Sequence, residues 1–218
     1  MTPATTIAPP LAQPPTPIAG TPGSLVSPTG PTPYRWTIKG YRELGKTGLF
    51  HDMKTMLIHG EVYAMVMPNP PHDTALNLAH EFLRGICPAG HHVRNQQGLD
   101  IGIDNDPGPD LAIVPGSIRD YATRTPTGNL AVLVVEVSDT TLFIDTTTKA
   151  ELYATAGVPD HWVIDVENHR LLVFRDPVPL PAGLSATTYR TQLIFGPTDT
   201  IAPLTAPTAT VRVADLLP

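Results

Sequence analysis

The sequence predicts an α/β domain in which a central mixed β-sheet carries a helix on each face. Three observations lead to this fold class. Residues 130–137 are almost wholly apolar, as expected for a strand that is buried on both faces. Residues 73–86 and 143–156 carry apolar side chains at helical intervals. Shorter strand-like segments alternate with these two helices along the chain.

The composition divides the 218 residues into a tail and a domain. Residues 1–33 contain no Lys, Arg, Asp or Glu and consist mainly of Pro, Thr, Ala and Gly, so they offer no apolar face to bury. We therefore expect a disordered tail over 1–33 and a single domain over 34–218. The tail lacks the basic start and continuous apolar stretch of a signal peptide, and no later segment is long enough to span a bilayer. The sequence thus predicts a soluble, cytoplasmic protein.

Charge and cysteine content limit the classes of function. Cys87 is the only cysteine, which excludes an intramolecular disulfide and a Cys-rich zinc site. The formal net charge of −6 argues against a large basic surface for nucleic acid. The negative net charge does not exclude a local basic cleft, because acidic metal ligands make a nuclease site negative until the cation binds.

The first predicted elements are a capped helix and a hairpin. Thr37 is an N-cap residue before a helical pattern that ends near Gly45 or Gly48. Residues 53–58 and 61–67 are predicted antiparallel strands joined by a tight turn.

The second half of the domain supplies the two long helices and most of the sheet. Asp73 is the predicted N-cap of the helix that runs to residue 86. Gly157 is the predicted left-handed C-cap of the helix over 143–156. Besides the central strand, strands are predicted at 91–96, 110–114, 161–165 and 171–174, with weaker strands at 189–195 and 209–213.

Three charged residues lie on elements that otherwise read as buried. Asp110 begins a predicted strand, Glu136 is near the end of the central strand, and Lys149 is on the next helix. Magnesium ions prefer hard oxygen ligands and are usually held by one or two carboxylates. Asp110, Glu136 and the main-chain carbonyl of Val137 are candidate ligands, and Lys149 is placed to activate water or to neutralise charge on a phosphate. This pattern is typical of a metal-dependent nuclease core.

Each of these residues also has a simpler interpretation. Asp110 follows a proline and is a common turn residue. Glu136 either faces solvent at a sheet edge or pairs with Lys149. Lys149 lies four residues after Asp145, and an exposed helical pair of this kind contributes only ~0.3–0.5 kcal/mol. The order and spacing of all three residues together favour chemistry over these alternatives.

A family resemblance extends this interpretation. Pro109-Asp110, Glu136-Val-Ser138, Lys149, Tyr153 and the segment 157–165 resemble the Uma-two family of putative restriction endonucleases, within the PD-(D/E)xK nuclease superfamily. The segments 57–62 and 71–72 match the beginning of that family, and the likeness spans about residues 37–175. It implies a restriction-endonuclease-like core that hydrolyses phosphodiester bonds in DNA with Mg²⁺ or Mn²⁺. It also implies that Asp110 and Glu136 are metal ligands and Lys149 the catalytic lysine.

One position departs from the superfamily pattern. The superfamily lysine normally follows the second acid by two residues, where this chain has Ser138. The family resembled here places its lysine on the next helix, and Lys149 fits that position. The departure keeps a second hypothesis open, in which the protein is a catalytically inactive nuclease fold that serves as a binding or scaffold protein.

Five further residues are supporting candidates. Glu61 matches an additional acid of the family's opening hairpin, and its alternative is a solvent-facing position. His72 is a candidate for binding phosphate, and Tyr153 for orienting Lys149 or a phosphate, although an aromatic residue here also fits simple packing. Arg119 and Arg124 are candidates for contacts to backbone phosphates, or solvated loop residues. The sequence leaves the oligomeric state open, and a homodimer is compatible with this function because many nucleases that cut both strands act as dimers.

Overall fold

The computed structural model describes residues 30–65, 67–179 and 187–218. The predicted tail therefore lies outside the described residues as far as residue 29, and so do Val66 and residues 180–186. Residues Tyr34–Pro218 form one structural unit. In the described ranges, no helix is both long and apolar enough to span a membrane.

Four α-helices and ten β-strands follow one another in the described residues. In chain order they are α1 (Ile38–Lys46), β1 (Thr55–Ile58), β2 (Glu61–Ala64), α2 (Pro70–Ile86), β3 (His91–Asn95), β4 (Leu111–Pro115), β5 (Leu133–Ser138), α3 (Leu142–Thr146), α4 (Thr148–Ala156), β6 (Asp160–Asp165), β7 (Arg170–Pro179), β8 (Thr187–Phe195), β9 (Thr200–Ile201) and β10 (Val211–Arg212). Short 3-10 turns begin at Ile118, Gly128 and Val213.

The central sheet is mixed, as predicted. Its strand order is β3-β4-β5-β6-β7-β8, and β5 and β6 are parallel whereas the other neighbours are antiparallel. The parallel pair is connected by α3 and α4, because parallel strands need a crossover. All six residues of β5 are buried, which confirms the central strand.

The two faces of the sheet are covered by different helices. Leu133, Val135 and Val137 share a core with α2, whereas Val134 shares a core with α4. This division follows from the alternation of side chains along a strand. Glu136 has the same parity as Val134, so its side chain belongs to the face that α4 covers.

The hairpin and the first helix agree with the sequence. α1 begins after Thr37, whose side chain accepts a hydrogen bond from Gly40 N–H. β1 and β2 pair antiparallel through a turn in which His59 and Gly60 have φ of 50° and 72°. A Cβ at Gly60 would lie 2.8 Å from the Arg35 Cβ, so this turn requires glycine. β2 ends at Ala64, earlier than predicted.

The start of α2 differs from the prediction. Asn69, not Asp73, is the N-cap, and its side chain accepts a hydrogen bond from His72 N–H. Pro70 and Pro71 occupy the first helical positions. Proline suits these positions because its fixed φ is helical and the missing N–H would have no partner there.

The helix predicted over 143–156 is two helices. Thr147 separates α3 from α4 with φ −117° and ψ −84°. Its hydroxyl donates to the Phe143 carbonyl at 2.5 Å, a side-chain bond that competes with helical bonding. Gly157 ends α4 in the left-handed conformation, as predicted.

β8 also differs from the sequence expectation. The sequence predicts only a weak strand in this segment, but it forms nine residues of the main sheet at its edge, paired with β7. The partner strand stabilises a segment whose own apolar pattern is poor.

Candidate active site

Asp110 and Glu136 are adjacent because of the strand register. β4 and β5 are antiparallel with Leu111 opposite Val135, so the next pair outward is Asp110 and Glu136. Asp110 N–H donates to Glu136 Oε2 at 3.4 Å. Asp110 Oδ2 accepts a hydrogen bond of 2.9 Å from Val137 N–H. The two carboxylates therefore meet where β4 begins and β5 ends.

Lys149 reaches the same point from α4. Its Nζ lies 3.1 Å from Glu136 Oε2 and 3.0 Å from Asp145 Oδ1. Lys149 is 3% exposed and Asp145 1% exposed. The Asp145–Lys149 pair does form, but it is buried, so the interpretation as an exposed helical pair is wrong. Asp110, Glu136, Asp145 and Lys149 are called the pocket cluster below.

Tyr153 forms a buried hydrogen bond to the pocket cluster. It lies one helical turn after Lys149 and is fully buried. Its hydroxyl donates to Glu136 Oε1 at 2.5 Å. Burial and the neighbouring Glu136 raise the pKa of the Tyr153 hydroxyl well above its ordinary value, so this group stays a neutral donor.

His72 and Gln96 contact the other acid. His72 Nε2 lies 3.4 Å from Asp110 Oδ2, and Gln96 Nε2 donates to Asp110 Oδ1 at 3.4 Å. The hydrogen bond to Asp110 raises the pKa of His72 and outweighs the opposing effect of burial. Burial raises the pKa of Asp110, but the bonds from His72 and from Val137 N–H outweigh it, and the pKa is lowered overall.

The pocket cluster contains more negative than positive charge. Burial, followed by repulsion from Asp145 and Asp110, raises the pKa of Glu136 to about 8, although Lys149 opposes the shift. Burial disfavours the charge on Lys149, but Glu136 and Asp145 outweigh it and raise the lysine pKa above its ordinary value. Lys149 is therefore charged near neutral pH, whereas Glu136 retains a proton.

A pocket of about 380 Å³ opens onto the cluster. Its lining includes the pocket cluster and His72. It also includes a set of apolar residues, called the apolar wall: Met56, Ala64, Met65, Met67, Pro68 and Ile144. The remaining lining residues are Lys54, Tyr63, Asn69, Val137, Asp139, Thr140 and Thr141. The hairpin and the segment after it thus supply most of the apolar wall.

The oxygen atoms at this point suit a hard divalent cation. Val137 N–H points towards Asp110, and the Ser138 carbonyl on the other side of β5 accepts from Val166 N–H at 2.9 Å. Since the N–H and C=O of one strand residue point to the same side, the Val137 carbonyl faces Asp110. Two carboxylates and one carbonyl leave positions for water and phosphate, as magnesium sites require. No group of three or more His, Cys, Asp or Glu side chains suited to a metal occurs in the described ranges.

Three of the supporting candidates lie away from the pocket. Glu61 is half exposed on β2 and forms an ion pair with Arg35. Arg119 and Arg124 are exposed. They follow Pro115, the residue at which β4 ends, and Pro115 is five residues from Asp110. That strand length corresponds to on the order of 15 Å. Arg124 lies over the Tyr121 ring, with 5.3 Å between Cζ and the ring centroid.

Sequence reasoning missed three residues of the site. Asp145 was visible as one member of a four-residue repeat with Lys149 and Tyr153, a spacing that places all three on one helical face. Thr141 donates to Asp145 Oδ2 at 2.5 Å, and Gln96 donates to Asp110. No local pattern marks these last two residues, because their partners are distant in sequence or lie across a helix start.

Comparisons with known proteins agree with this architecture. A family model described as "Uma2: Putative restriction endonuclease" matches residues 41–214. A similar solved structure is that of a putative nuclease belonging to DUF820 from Anabaena variabilis ATCC 29413. It has 15% sequence identity and a TM-score of 0.62, and the match covers 83% of this chain and 96% of that chain. At this identity the likeness shows the fold alone. No curated protein matches the chain.

The family match and the fold lead to the same assignment. Residues 41–214 make up most of the 218-residue chain. The central mixed sheet with flanking helices is also the nuclease-like fold of the similar structure. The protein therefore belongs to the Uma2 family of putative restriction endonucleases.

Proposed function

We propose that the protein hydrolyses phosphodiester bonds in DNA at the pocket cluster, with Mg²⁺ or Mn²⁺ as the cofactor. The observation that carries this proposal is the convergence of Asp110, Glu136 and Lys149 on one pocket. Family membership points to nucleic acid as the class of substrate. Restriction-endonuclease-like proteins generally use divalent metal ions.

The cofactor site would consist of Asp110, Glu136 and the Val137 carbonyl. A divalent ion held there supplies Lewis-acid stabilisation of phosphate charge and lowers the pKa of bound water. Tyr153 fixes the orientation of Glu136 through its hydrogen bond to Oε1. The raised pKa of Glu136 means that cation binding and release of its proton are coupled.

Lys149 acts as a positive charge in this scheme and not as a base. Because its pKa is raised, it keeps its proton and donates hydrogen bonds to phosphate oxygens as negative charge develops. Asp145 holds the ammonium group in place. In the net reaction, a bond forms between water oxygen and phosphorus and one phosphorus–oxygen ester bond breaks. The proton released from water ends on the leaving alcohol.

The remaining candidates have more distant roles in the proposal. His72, beside Asp110 at the pocket, is suited to hydrogen-bond an incoming phosphate. Contacts of Arg119 and Arg124 to phosphates outside the pocket remain a prediction. The same holds for a role of Glu61, for a homodimer and for a cytoplasmic location.

Two measurements on the purified full chain test the proposal. Labelled single- and double-stranded DNA is incubated with Mg²⁺ or Mn²⁺, and Lys149→Met is expected to lower the cleavage rate at least ~100-fold, as loss of an electrostatic stabiliser does. Lys39→Met, an exposed position on α1, is the matched control. Calorimetric titration with Mg²⁺ should show binding that Glu136→Gln removes.

The opposite results would favour the non-catalytic hypothesis. If no form of DNA is cut with either ion, and Lys149→Met binds metal and DNA as the wild type does, the nuclease proposal is abandoned. Binding of DNA without hydrolysis would then indicate a nuclease fold that serves as a binding or scaffold protein.

A further inference from the structure

The pocket cluster lies deep in the protein and not on an open surface. The side chains of Glu136 and Lys149 are 2% and 3% exposed, and that of Asp110 is 10% exposed. In the described residues, this pocket is the opening that gives a phosphate access to these groups. Its volume of about 380 Å³ is at the small end of the ~300–1,000 Å³ typical of sites for small ligands. Such a space holds about one nucleotide and is far too small for a duplex.

The polar and the apolar lining residues suit the two parts of a nucleotide. A phosphate fits Lys149, His72 and the metal-binding oxygens. The apolar wall itself carries no charge, although Lys54 just before β1 also lines the pocket, and the wall suits the face of a nucleobase. Methionine sulfur in particular makes favourable contacts with aromatic rings. Tyr63 and Met67 are 39% and 76% exposed and therefore lie where the pocket meets solvent.

The charges around the pocket do not suit a long stretch of duplex backbone. Among the described residues that line it, Lys54 and Lys149 are the lysines and there is no arginine. Arg119 and Arg124 lie beyond the other end of β4. Proteins that track duplex DNA neutralise many phosphates with basic side chains. Affinity for a substrate at this site must therefore come largely from contacts to the nucleotide itself.

We propose that the pocket takes one unpaired nucleotide of DNA, with its base against the apolar wall and its phosphate at the pocket cluster. The substrate is then single-stranded DNA or a duplex in which a nucleotide has left the stack, because a paired base cannot enter the pocket. This inference rests on the proposed function for the position of the scissile phosphate. It adds the strand form that the site accepts.

The test uses a short DNA strand with 2-aminopurine at its centre, in three forms. These are the single strand, a duplex with 2-aminopurine as one unpaired bulge, and a perfect duplex. Binding to the full-length protein is measured by anisotropy in EDTA and in Ca²⁺, and electrophoresis checks that the strands stay intact. The single strand and the bulged duplex are expected to bind at least ~10-fold more tightly than the perfect duplex. Their 2-aminopurine fluorescence should change on binding, since stacking partners change when a base enters a pocket.

Variants of Met67 and Tyr63, where the pocket meets solvent, give a second readout. Met67→Ser and Tyr63→Ala should each weaken binding of the single strand by about 3- to 10-fold, as loss of a contact to a base does. Ile118→Ser is the matched control, because Ile118 is 72% exposed and lies at the opposite end of β4. With two lysines at the pocket, log K should fall with log salt at a slope of roughly −1 to −2.

The outcomes separate this inference from the proposed function. Tight binding of the bulged duplex as well as the single strand supports any unpaired nucleotide as the substrate, and tight binding of the single strand alone supports single-stranded DNA. Equal binding and cleavage of the perfect duplex overturn the inference while the proposed function stands. Equal effects of Met67→Ser, Tyr63→Ala and Ile118→Ser also overturn it. A fluorescence change together with weaker binding by Met67→Ser and Tyr63→Ala, but without any hydrolysis in Mg²⁺ or Mn²⁺, supports the binding mode and refutes the nuclease activity.

Discussion

Two buried ionic groups lie along β6 and its neighbours, and they differ in how their charges are balanced. Asp160 at the start of β6 accepts bonds from Arg175 Nε at 2.8 Å, Trp162 Nε1 at 2.9 Å and Leu204 N–H at 2.8 Å. One carboxylate thus meets one guanidinium, and both carboxylate oxygens have partners. In the pocket cluster, Glu136 and Asp145 both contact Lys149, Asp110 lies beside His72, and the group faces a cavity.

The difference shows which property of a buried charge points to function. Burial alone does not separate the two groups, because Asp160 and Glu136 are 0% and 1% exposed. The Asp160–Arg175 pair is complete within the protein, so it needs no ligand. The pocket cluster is incomplete, and the excess negative charge beside an open space is the feature that a cation would satisfy.

The largest expected effect is on the pH dependence of the free energy of unfolding, and it tests whether the pocket cluster has excess negative charge. The pKa of Glu136 is raised from 4.5 to about 8 in the folded state. The unfolded chain therefore loses this proton first, and stability falls as pH rises from about 4.5 through about 8. At about 1.4 kcal/mol per pKa unit, the loss is on the order of 5 kcal/mol. Urea unfolding in EDTA across this range should show the loss in the wild type relative to Glu136→Gln.

Glu151 supplies the control for that experiment. It is exposed on α4, so Glu151→Gln should keep the pH profile of the wild type. Parallel profiles of the wild type and Glu136→Gln between pH 4.5 and 8 would mean that the cluster is not short of positive charge.

The next effect tests the balanced pair. Arg175→Met leaves the carboxylate of Asp160 buried without its cation, which should lower the free energy of unfolding by about 3–5 kcal/mol. Lys149→Met should cost less, because Glu136 already carries its proton near neutral pH and Asp145 keeps its hydrogen bond from Thr141. Urea unfolding at pH 7 measures both. Arg190→Met, at an exposed position on β8, is the reference, and a loss of less than ~1 kcal/mol in Arg175→Met would contradict the comparison.

A buried histidine next to the pocket cluster should make the protein less stable as pH falls, whereas Glu136 makes it less stable as pH rises. His161 lies between the rings of Tyr153 and Phe174, and burial lowers its pKa from 6.5 to about 4. Its contribution to stability is complete above about pH 6.5 and is lost as pH falls towards 4, by up to about 3 kcal/mol. His161→Phe should remove this acid-side loss in urea unfolding. His51→Phe, at an exposed position, should retain it.

The smallest expected effect concerns the helix that presents His72 to the pocket. Asn69→Ala removes the N-cap of α2 and should cost about 1 kcal/mol, whereas Asp73→Ala should cost a few tenths. Thermal unfolding of the two variants separates them. Equal losses of stability in the two variants would contradict the assignment of Asn69 as the N-cap.

Much of the fold follows from local patterns in the sequence. The apolar run of β5 predicts a strand buried on both faces, and Thr37 and Gly157 mark helix ends through their own capping chemistry. The break at Thr147 was missed because a helical apolar pattern continues across it. The start of α2 was missed because Asn69 and Asp73 are both residue types that cap helices, and only the structure shows that the Asn69 side chain accepts from His72 N–H.

The candidate site was predicted less completely than the fold. Asp110, Glu136 and Lys149 could be named because each carries a charge on an apolar element. The exposed-pair interpretation of Asp145 failed because spacing along a helix does not say which face is buried. Gln96 could not be found, since its bond to Asp110 depends on the pairing of β3 with β4.

The sequence by itself determined the kinds of element, the family and the three charges. Hydrophobic periodicity and capping act within a few residues, so they can be read along the chain. Only the tertiary structure decided that Asp110 lies opposite Glu136, that Lys149 has two acidic partners, and that the apolar wall lines the same pocket. These facts depend on strand register and on the packing of α4 and the hairpin, which bring together residues far apart in the sequence.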